Sequence, residues 1–263
     1  MQQLSQLVDA FSINDLLYIA LTMLVLALGI FVQAAAGFAG GMLVIPMLLM
    51  MGYGVPEASA ALMVATVPQN LVGAHSLRAS IDIRTLIWPG IGRVIFFPLG
   101  LYVLSHLLIH YNSNHIRQIV GAFVLGMTVL SIGFRPKPKE NLHPVWAWIA
   151  FPASGFLQGV VGMGGPAMVI WVTAHDWSAK RMRAFLFGMY SISLIPVIGL
   201  LALQYDILLP SLIAIATLPL LILATRLGLR AGNRLGRQRL RQVTLLLLLV
   251  TGVSGILAPW LRP

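Results

Sequence analysis

The sequence predicts an all-α, polytopic membrane protein built from two inverted-topology repeats, each a broken-helix hairpin followed by three spans. Apolar residues make up 59% of the 263 residues and charged residues only 9%. This excludes a water-soluble domain, whose surface needs many more polar side chains. Apolar runs of about 20 residues, each long enough to cross ~30 Å of hydrocarbon, recur from end to end. A glycine-rich motif also occurs once in each half.

The glycine-rich motif recurs at a spacing of 125 positions. Residues 33–46 read QAAAGFAGGMLVIP and residues 158–171 read QGVVGMGGPAMVIW, with five of the fourteen paired positions identical. Each copy interrupts an apolar stretch, and a helix break repeated in both halves is typical of a transporter binding site. Close helix packing would explain a single motif equally well, but the duplication favours a binding site.

Ten apolar segments follow along the chain. They are predicted at 16–36, 42–55, 57–77, 85–109, 116–134, 144–161, 165–177, 184–203, 207–226 and 242–260. Two of them are short for a span, since a dozen helical residues cover only ~18 Å. We therefore expect 16–55 and 144–177 to form helical hairpins, either spanning or re-entrant, with the glycines at their tips.

Basic residues in the short loops predict the orientation, because cytoplasmic loops are enriched in Lys and Arg. The basic groups lie at 78–84, 135–139, 180–183 and 226–241. With these groups inside, each half has five segments, an odd number, and the two halves enter the membrane from opposite faces. The predicted repeats are 1–134 and 144–263, joined by a cytoplasmic linker at 135–143.

The net charge of +10 owes much to the arginines between 226 and 241. A basic cluster between two apolar spans is typical of a loop that meets anionic lipid headgroups at the cytoplasmic face, so no nucleic-acid partner is expected. The sequence predicts a multi-pass protein of the bacterial inner membrane and leaves its oligomeric state open. It contains no cysteine and no HExxH motif, so neither a metal nor a cofactor is expected.

Six glycines of the two motifs are the first candidates for substrate binding: Gly37, Gly40, Gly41, Gly162, Gly164 and Gly165. Glycine permits a sharp turn and lets backbone N–H groups approach a ligand. The positive end of the helix that follows each turn favours an anion.

Arg93 is the second candidate. It lies about eight residues, roughly 12 Å, inside the span that starts near Thr85. An arginine at this depth usually faces a partner or an aqueous cavity; the alternative is that its side chain reaches back to the interface.

Polar residues near the helix breaks complete the candidate site. They are Gln33, Gln158, Thr66, Asn70 and Ser193. The two glutamines precede the glycine turns by one helical turn, so their amides either hold the turn or face the substrate. The others lie on spans that contain a proline, and proline frees backbone groups that can line a cavity.

All seven acidic residues fall at predicted membrane edges or in loops. No carboxylate is therefore expected at mid-membrane to bind a cation or relay a proton. Proton coupling would rest on His75, on His175 or on the substrate itself. A cavity with an intramembrane arginine, helix N-termini and no acid suits an anion.

At its glycine motifs the chain resembles the TauE/SafE family, also called sulfite exporter or anion permease proteins. The resemblance covers nearly the whole length and is carried by Gly37, Gly40, Gly41, Pro46, Gly162, Gly164 and Gly165. Ala39 stands where a further glycine is expected. The resemblance implies secondary transport, often export, of small anions such as sulfite, sulfonates including sulfoacetate, or related organic anions.

Two alternatives to a carrier are compatible with the sequence. An anion channel or uniporter would use the same cavity without alternating access. A polytopic enzyme acting on lipid-linked substrates would need a reactive cluster near the interface. Only His106, His110 and His115 offer one, and their positions are more typical of interfacial histidines.

Overall fold

The computed structural model describes residues 12–36, 39–80, 82–133, 138–140 and 142–261. Within these ranges the chain forms ten α-helices and one 3-10 turn, Arg78–Ser80, and contains no β-strand. The helices are α1 (Ile13–Ala36), α2 (Gly40–Met51), α3 (Val55–Ser76), α4 (Ile83–His110), α5 (Ser113–Gly133), α6 (Val145–Val161), α7 (Gly165–Thr173), α8 (Ala179–Gln204), α9 (Leu208–Ala216) and α10 (Leu218–Leu261). The predicted all-α class is confirmed.

Helix breaks lie where the glycine motifs predict them, between α1 and α2 and between α6 and α7. The second arms, α2 with 12 residues and α7 with 9, are too short to cross the hydrocarbon alone. The backbone is left-handed at Ala39 (φ 79°) in the first turn and at Gly162 (φ 72°) in the second. Glycine adopts this conformation freely, whereas an alanine there costs about 1–2 kcal/mol.

Four helices of the described chain are long and apolar enough to cross a membrane: α1, α4, α5 and α8. A fifth span arises if α9 and the start of α10, which meet at a bend of 59°, are counted together. The largest hydrophobic core lies between α1, α2 and α3 and the facing sides of α4 and α5. These helices identify a multi-pass membrane protein.

The second half departs from the predicted segments in two places. The predicted span 207–226 is broken at Thr217, and Pro219 occupies the second position of the new helix, where proline is well tolerated. The arginine cluster was expected to form a loop, but its backbone is helical within α10, so that prediction is wrong. The side chains of Asn233 and of 235–241, including three of the arginines, lie outside the described part of the structure.

Two contacts between the halves repeat each other. α4 packs along α6, and the first part of α10 packs along α1. A Cβ at Gly100 would collide with the carbonyl oxygen of Phe156, and one at Gly228 with that of Phe31. Both helix pairs therefore touch backbone to backbone, as small residues allow in membranes. The two phenylalanines are 125 positions apart, which is also the spacing of the glycine motifs.

A third contact joins α5 to the last part of α10. A Cβ at Gly121 would meet the carbonyl oxygen of Gly252 and the amide nitrogen of Ile256. A Cβ at Gly252 would meet the carbonyl oxygen of Gly121 and the amide nitrogen of Leu125. The two helices thus exchange equivalent contacts. They are antiparallel, because later residues of α10 meet earlier residues of α5.

Candidate functional site

A cavity lies between the two glycine turns, with about 100 Å³ of space for the centre of a water-sized sphere. Helices from both halves line it. Ten of the residues predicted from the sequence are in the lining: Gln33, Gly40, Gly41, Thr66, Asn70, Arg93, Gln158, Gly162, Gly164 and Gly165. The structure therefore brings most of the predicted residues into one place.

Arg93 is the largest fully buried side chain of the described residues, with 1% of its surface exposed. It lies ten residues into α4, about 15 Å from the start of the helix. Its Nη1 donates to Ser154 Oγ at 3.0 Å and to Met168 Sδ at 3.0 Å, and its Nη2 donates to Gln158 Oε1 at 3.3 Å. These partners point the side chain into the bundle and not towards the interface.

The close packing of α4 on α6 brings these partners to Arg93. A Cβ at Gly155 would collide with the carbonyl oxygen of Arg93, so the two backbones touch at this level. Ser154 and Gln158 are four residues apart and therefore share one face of α6. That face meets the guanidinium group, and the ring of Tyr190 on α8 lies 5.4 Å from the guanidinium carbon, within the range of a cation–π contact.

Gln158 and Ser154 also hold the second glycine turn. Gln158 Oε1 accepts from the Gly164 amide at 3.0 Å, and its Nε2 donates to the Gly162 carbonyl at 3.1 Å and to Ser59 Oγ at 3.1 Å. Ser154 Oγ donates to the Gly164 carbonyl at 2.7 Å. Both backbone groups of Gly164 are thus bonded to side chains that also contact Arg93. The Arg93 side chain and the second glycine turn therefore belong to one hydrogen-bond network.

The positive charge of Arg93 has no negative partner in this network. Its three hydrogen-bond partners are a hydroxyl, an amide and a thioether, and the described lining of the cavity contains no carboxylate. Within the described residues its Nε is buried without any hydrogen-bond partner. An uncompensated buried charge is costly, so the arrangement suits a bound anion.

The start of α7 lies at the cavity, and its second residue, Pro166, has no N–H to donate. The first amides of an α-helix have no partner inside the helix, and their positive end favours negative charge. Gly165, the first residue of α7, lines the cavity, and a Cβ there would come within 2.7 Å of Tyr190 Oη. A side chain at this position would therefore occupy space between the turn and α8.

The other predicted residues are placed as follows. Thr66 and Asn70 line the cavity, and Asn70 Oδ1 is buried without a hydrogen-bond partner in the described part of the chain. Ser193 is buried outside the lining, where it donates to the Met189 carbonyl at 2.8 Å. Gly37 lies outside the described residues.

The two histidines proposed for proton coupling are also outside the lining. His75 is exposed near the end of α3. His175 follows α7 and packs between Trp171 and Trp177, with ring centroids 4.1 and 4.6 Å away. Its Nδ1 lies 2.9 Å from the Trp171 carbonyl oxygen.

Sequence reasoning missed Ser154, Met168 and Tyr190. Ser154 could have been found, because it precedes Gln158 by one helical turn and so shares its face. Met168 and Tyr190 carry no comparable signal. Their role depends on how α7 and α8 pack on α4, which is a tertiary property.

The family model described as "Sulfite exporter TauE/SafE" matches residues 21–255. Neither the curated proteins nor the solved structures compared with the chain gave a match.

Proposed function

Because the chain belongs to the sulfite exporter TauE/SafE family, we propose that it is a secondary transporter that exports sulfite, sulfonates or related organic anions by alternating access. Membership of this family implies a membrane transporter of small anions and not an enzyme. The finer proposal concerns how the anion is bound and moved. The bacterial inner membrane is the proposed location, with the arginines of α10 near anionic lipid headgroups.

The observation that carries the proposal is the buried Arg93 without a negative partner. An ionisable side chain inside a membrane protein is expensive and usually serves a substrate or ion path. Here it faces a cavity whose described lining has no acid. A bound anion would supply the missing charge, and the first amides of α7 would supply further donors.

The contacts between the halves support an inverted repeat of 1–134 and 144–263, joined through 135–143. Each half places its fourth segment on the first segment of the other, at Gly100 and Gly228. The fifth segments, α5 and the end of α10, are antiparallel and make equivalent contacts. A two-fold axis that exchanges two antiparallel helices is perpendicular to both. Such an axis lies in the membrane plane when those helices span, and inverted repeats of this kind support alternating access.

Counterflow in liposomes tests the transport proposal. Purified protein should carry labelled sulfite, sulfoacetate or a simple carboxylate with saturable kinetics, and unlabelled anion on the opposite side should accelerate the flux. Flux that is no greater than in protein-free liposomes for every anion would contradict the proposal. Flux that rises linearly with concentration, without stimulation from the opposite side, would favour a channel.

Labelling tests the inverted repeat separately. The chain has no cysteine, so Ser80→Cys and Asp206→Cys each introduce one thiol, in the loop between the third and fourth predicted segments of its half. We expect an impermeant maleimide to label these positions from opposite faces of the membrane. Labelling of both positions from the same face would contradict the inverted repeat and would not affect the proposal of anion transport.

A further inference from the structure

We propose that the cavity selects organic anions that combine a single negative charge with an apolar body, in preference to dianions and to sulfite itself. This inference rests on the proposed anion transport and names the substrate class of the same site. Two properties of the lining carry it: the number of its charges and the character of its walls.

The charge count favours a monoanion. Arg93 is the one lysine or arginine in the described lining, and it is accompanied by no carboxylate. A singly charged headgroup at Arg93 would leave the occupied cavity close to neutral. A dianion would keep one unpaired charge away from water, and an unpaired buried charge is strongly disfavoured.

The walls favour an apolar body. Eight apolar side chains of the size of valine or larger line the cavity: Met42, Leu62, Met63, Met127, Met163, Val169, Ile170 and Leu194. Four of them are methionines, whose flexible thioethers adapt to ligands of different shape. A small inorganic ion would contact Arg93 and leave these side chains without a partner.

The two properties come from different helices. The hydrogen-bond partners of Arg93 belong to α6 and α7. Met42, Met63 and Met127 belong to α2, α3 and α5. The lining therefore combines one cationic group with apolar side chains from other helices. An amphiphilic anion matches this combination.

A chain-length series tests this inference in the liposome assay. The half-saturating concentration should fall about three- to fourfold per added methylene from methanesulfonate to butanesulfonate, which corresponds to about 0.8 kcal/mol for each buried CH₂. The dianions 1,2-ethanedisulfonate and sulfoacetate should be at least about tenfold weaker than propanesulfonate, a difference of about 1.4 kcal/mol.

Four results would overturn the inference, and they are distinguishable. A half-saturating concentration that does not change with chain length would contradict the preference for an apolar body. Equal or tighter binding of the dianions would contradict the preference for a single charge. A half-saturating concentration for sulfite below that of every alkanesulfonate would contradict both preferences while leaving the proposed anion transport intact. Absence of flux for all anions would overturn the transport proposal and this inference with it.

A charge-gain variant tests the same point without removing Arg93. Met63→Lys places a second cation in the lining and should improve the dianions at least about tenfold relative to propanesulfonate, because the second charge is then paired. Met63→Leu keeps an apolar side chain of similar volume and should retain the wild-type preference. An unchanged preference in a folded, active Met63→Lys protein would overturn the charge argument.

Discussion

A glycine turn lies between two helices in each half, and the two turns differ in the charge that contacts them. Arg93 contacts Ser154 and Gln158, whose side chains form hydrogen bonds with the second-half turn. In the first half, 125 positions earlier, Gly29 stands in place of Ser154 and Gln33 in place of Gln158. The helix that packs there is α10. Gly228 of α10 occupies the place of Gly100, and Leu221, seven residues before it, stands in place of Arg93.

We propose from this difference that the chain has one anion site and not two. The repeat supplies two helix breaks around a common cavity, but among the described residues only the second-half turn is linked to a guanidinium group, through Ser154 and Gln158. Leu221 is buried at 2% exposure in the hydrophobic core, which is typical of a residue facing another helix. On this proposal the second-half turn binds the anion and the first half contributes part of the cavity wall.

The largest effect is expected from a large side chain in the second-half turn. Gly165→Leu should abolish anion flux, because even the Cβ would approach Tyr190 Oη and the longer side chain would occupy the space before α7. Gly126→Leu is the matched control, since nothing lies within 4 Å of a Cβ at that exposed position. Normal flux from a well-expressed Gly165→Leu protein would refute the placement of the anion.

Replacing each of the two glutamines by alanine sharpens the comparison between the two glycine turns. Gln158→Ala should raise the half-saturating anion concentration about tenfold, because it removes the buried hydrogen-bond partner of Arg93 Nη2 and of the Gly164 amide. Gln33→Ala should change it much less, since Arg93 has no contact with the first turn through this residue. Equal effects of the two substitutions in the flux assay would show that the turns are functionally equivalent.

The sequence was sufficient to predict the hairpins and the cavity lining. Glycines interrupt apolar helices for local reasons, and ten of the twelve predicted binding residues line one cavity. The pairing of Arg93 with its partners was not predictable, because Ser154, Gln158 and Met168 lie 61 to 75 positions further along the chain. They meet Arg93 only through the packing of α4 on α6 and α7, which no local pattern encodes.

The break between α9 and α10 illustrates a signal that was present but weak. The apolar composition of 207–226 is that of a continuous span, and hydropathy alone does not report a bend. Pro219 marked the break, since proline is favoured near the start of a helix and restricts the residue before it. The helical backbone through the arginines was also missed, because charge was taken to indicate a loop.

The smallest effect is expected at the left-handed residues. Ala39→Gly should raise the melting temperature of the purified protein by about 2–4 °C, since it relieves roughly 1 kcal/mol of backbone strain. Gly162→Ala should lower it, because it introduces that strain and brings a Cβ to 3.2 Å from Ile45. Thermal unfolding in detergent measures both. A lower melting temperature for Ala39→Gly would contradict the strain assigned to the first turn.

The central claim is that Arg93 provides the charge for a bound anion, and its neutralisation tests this most directly. Arg93→Gln should raise the half-saturating anion concentration at least about tenfold, equivalent to about 1.4 kcal/mol. Arg93→Lys should retain part of the function, because the charge survives without the planar fork. Arg84→Gln on the exposed start of the same helix is the control and should behave as wild type. An unaltered half-saturation value in folded Arg93→Gln protein would contradict the account.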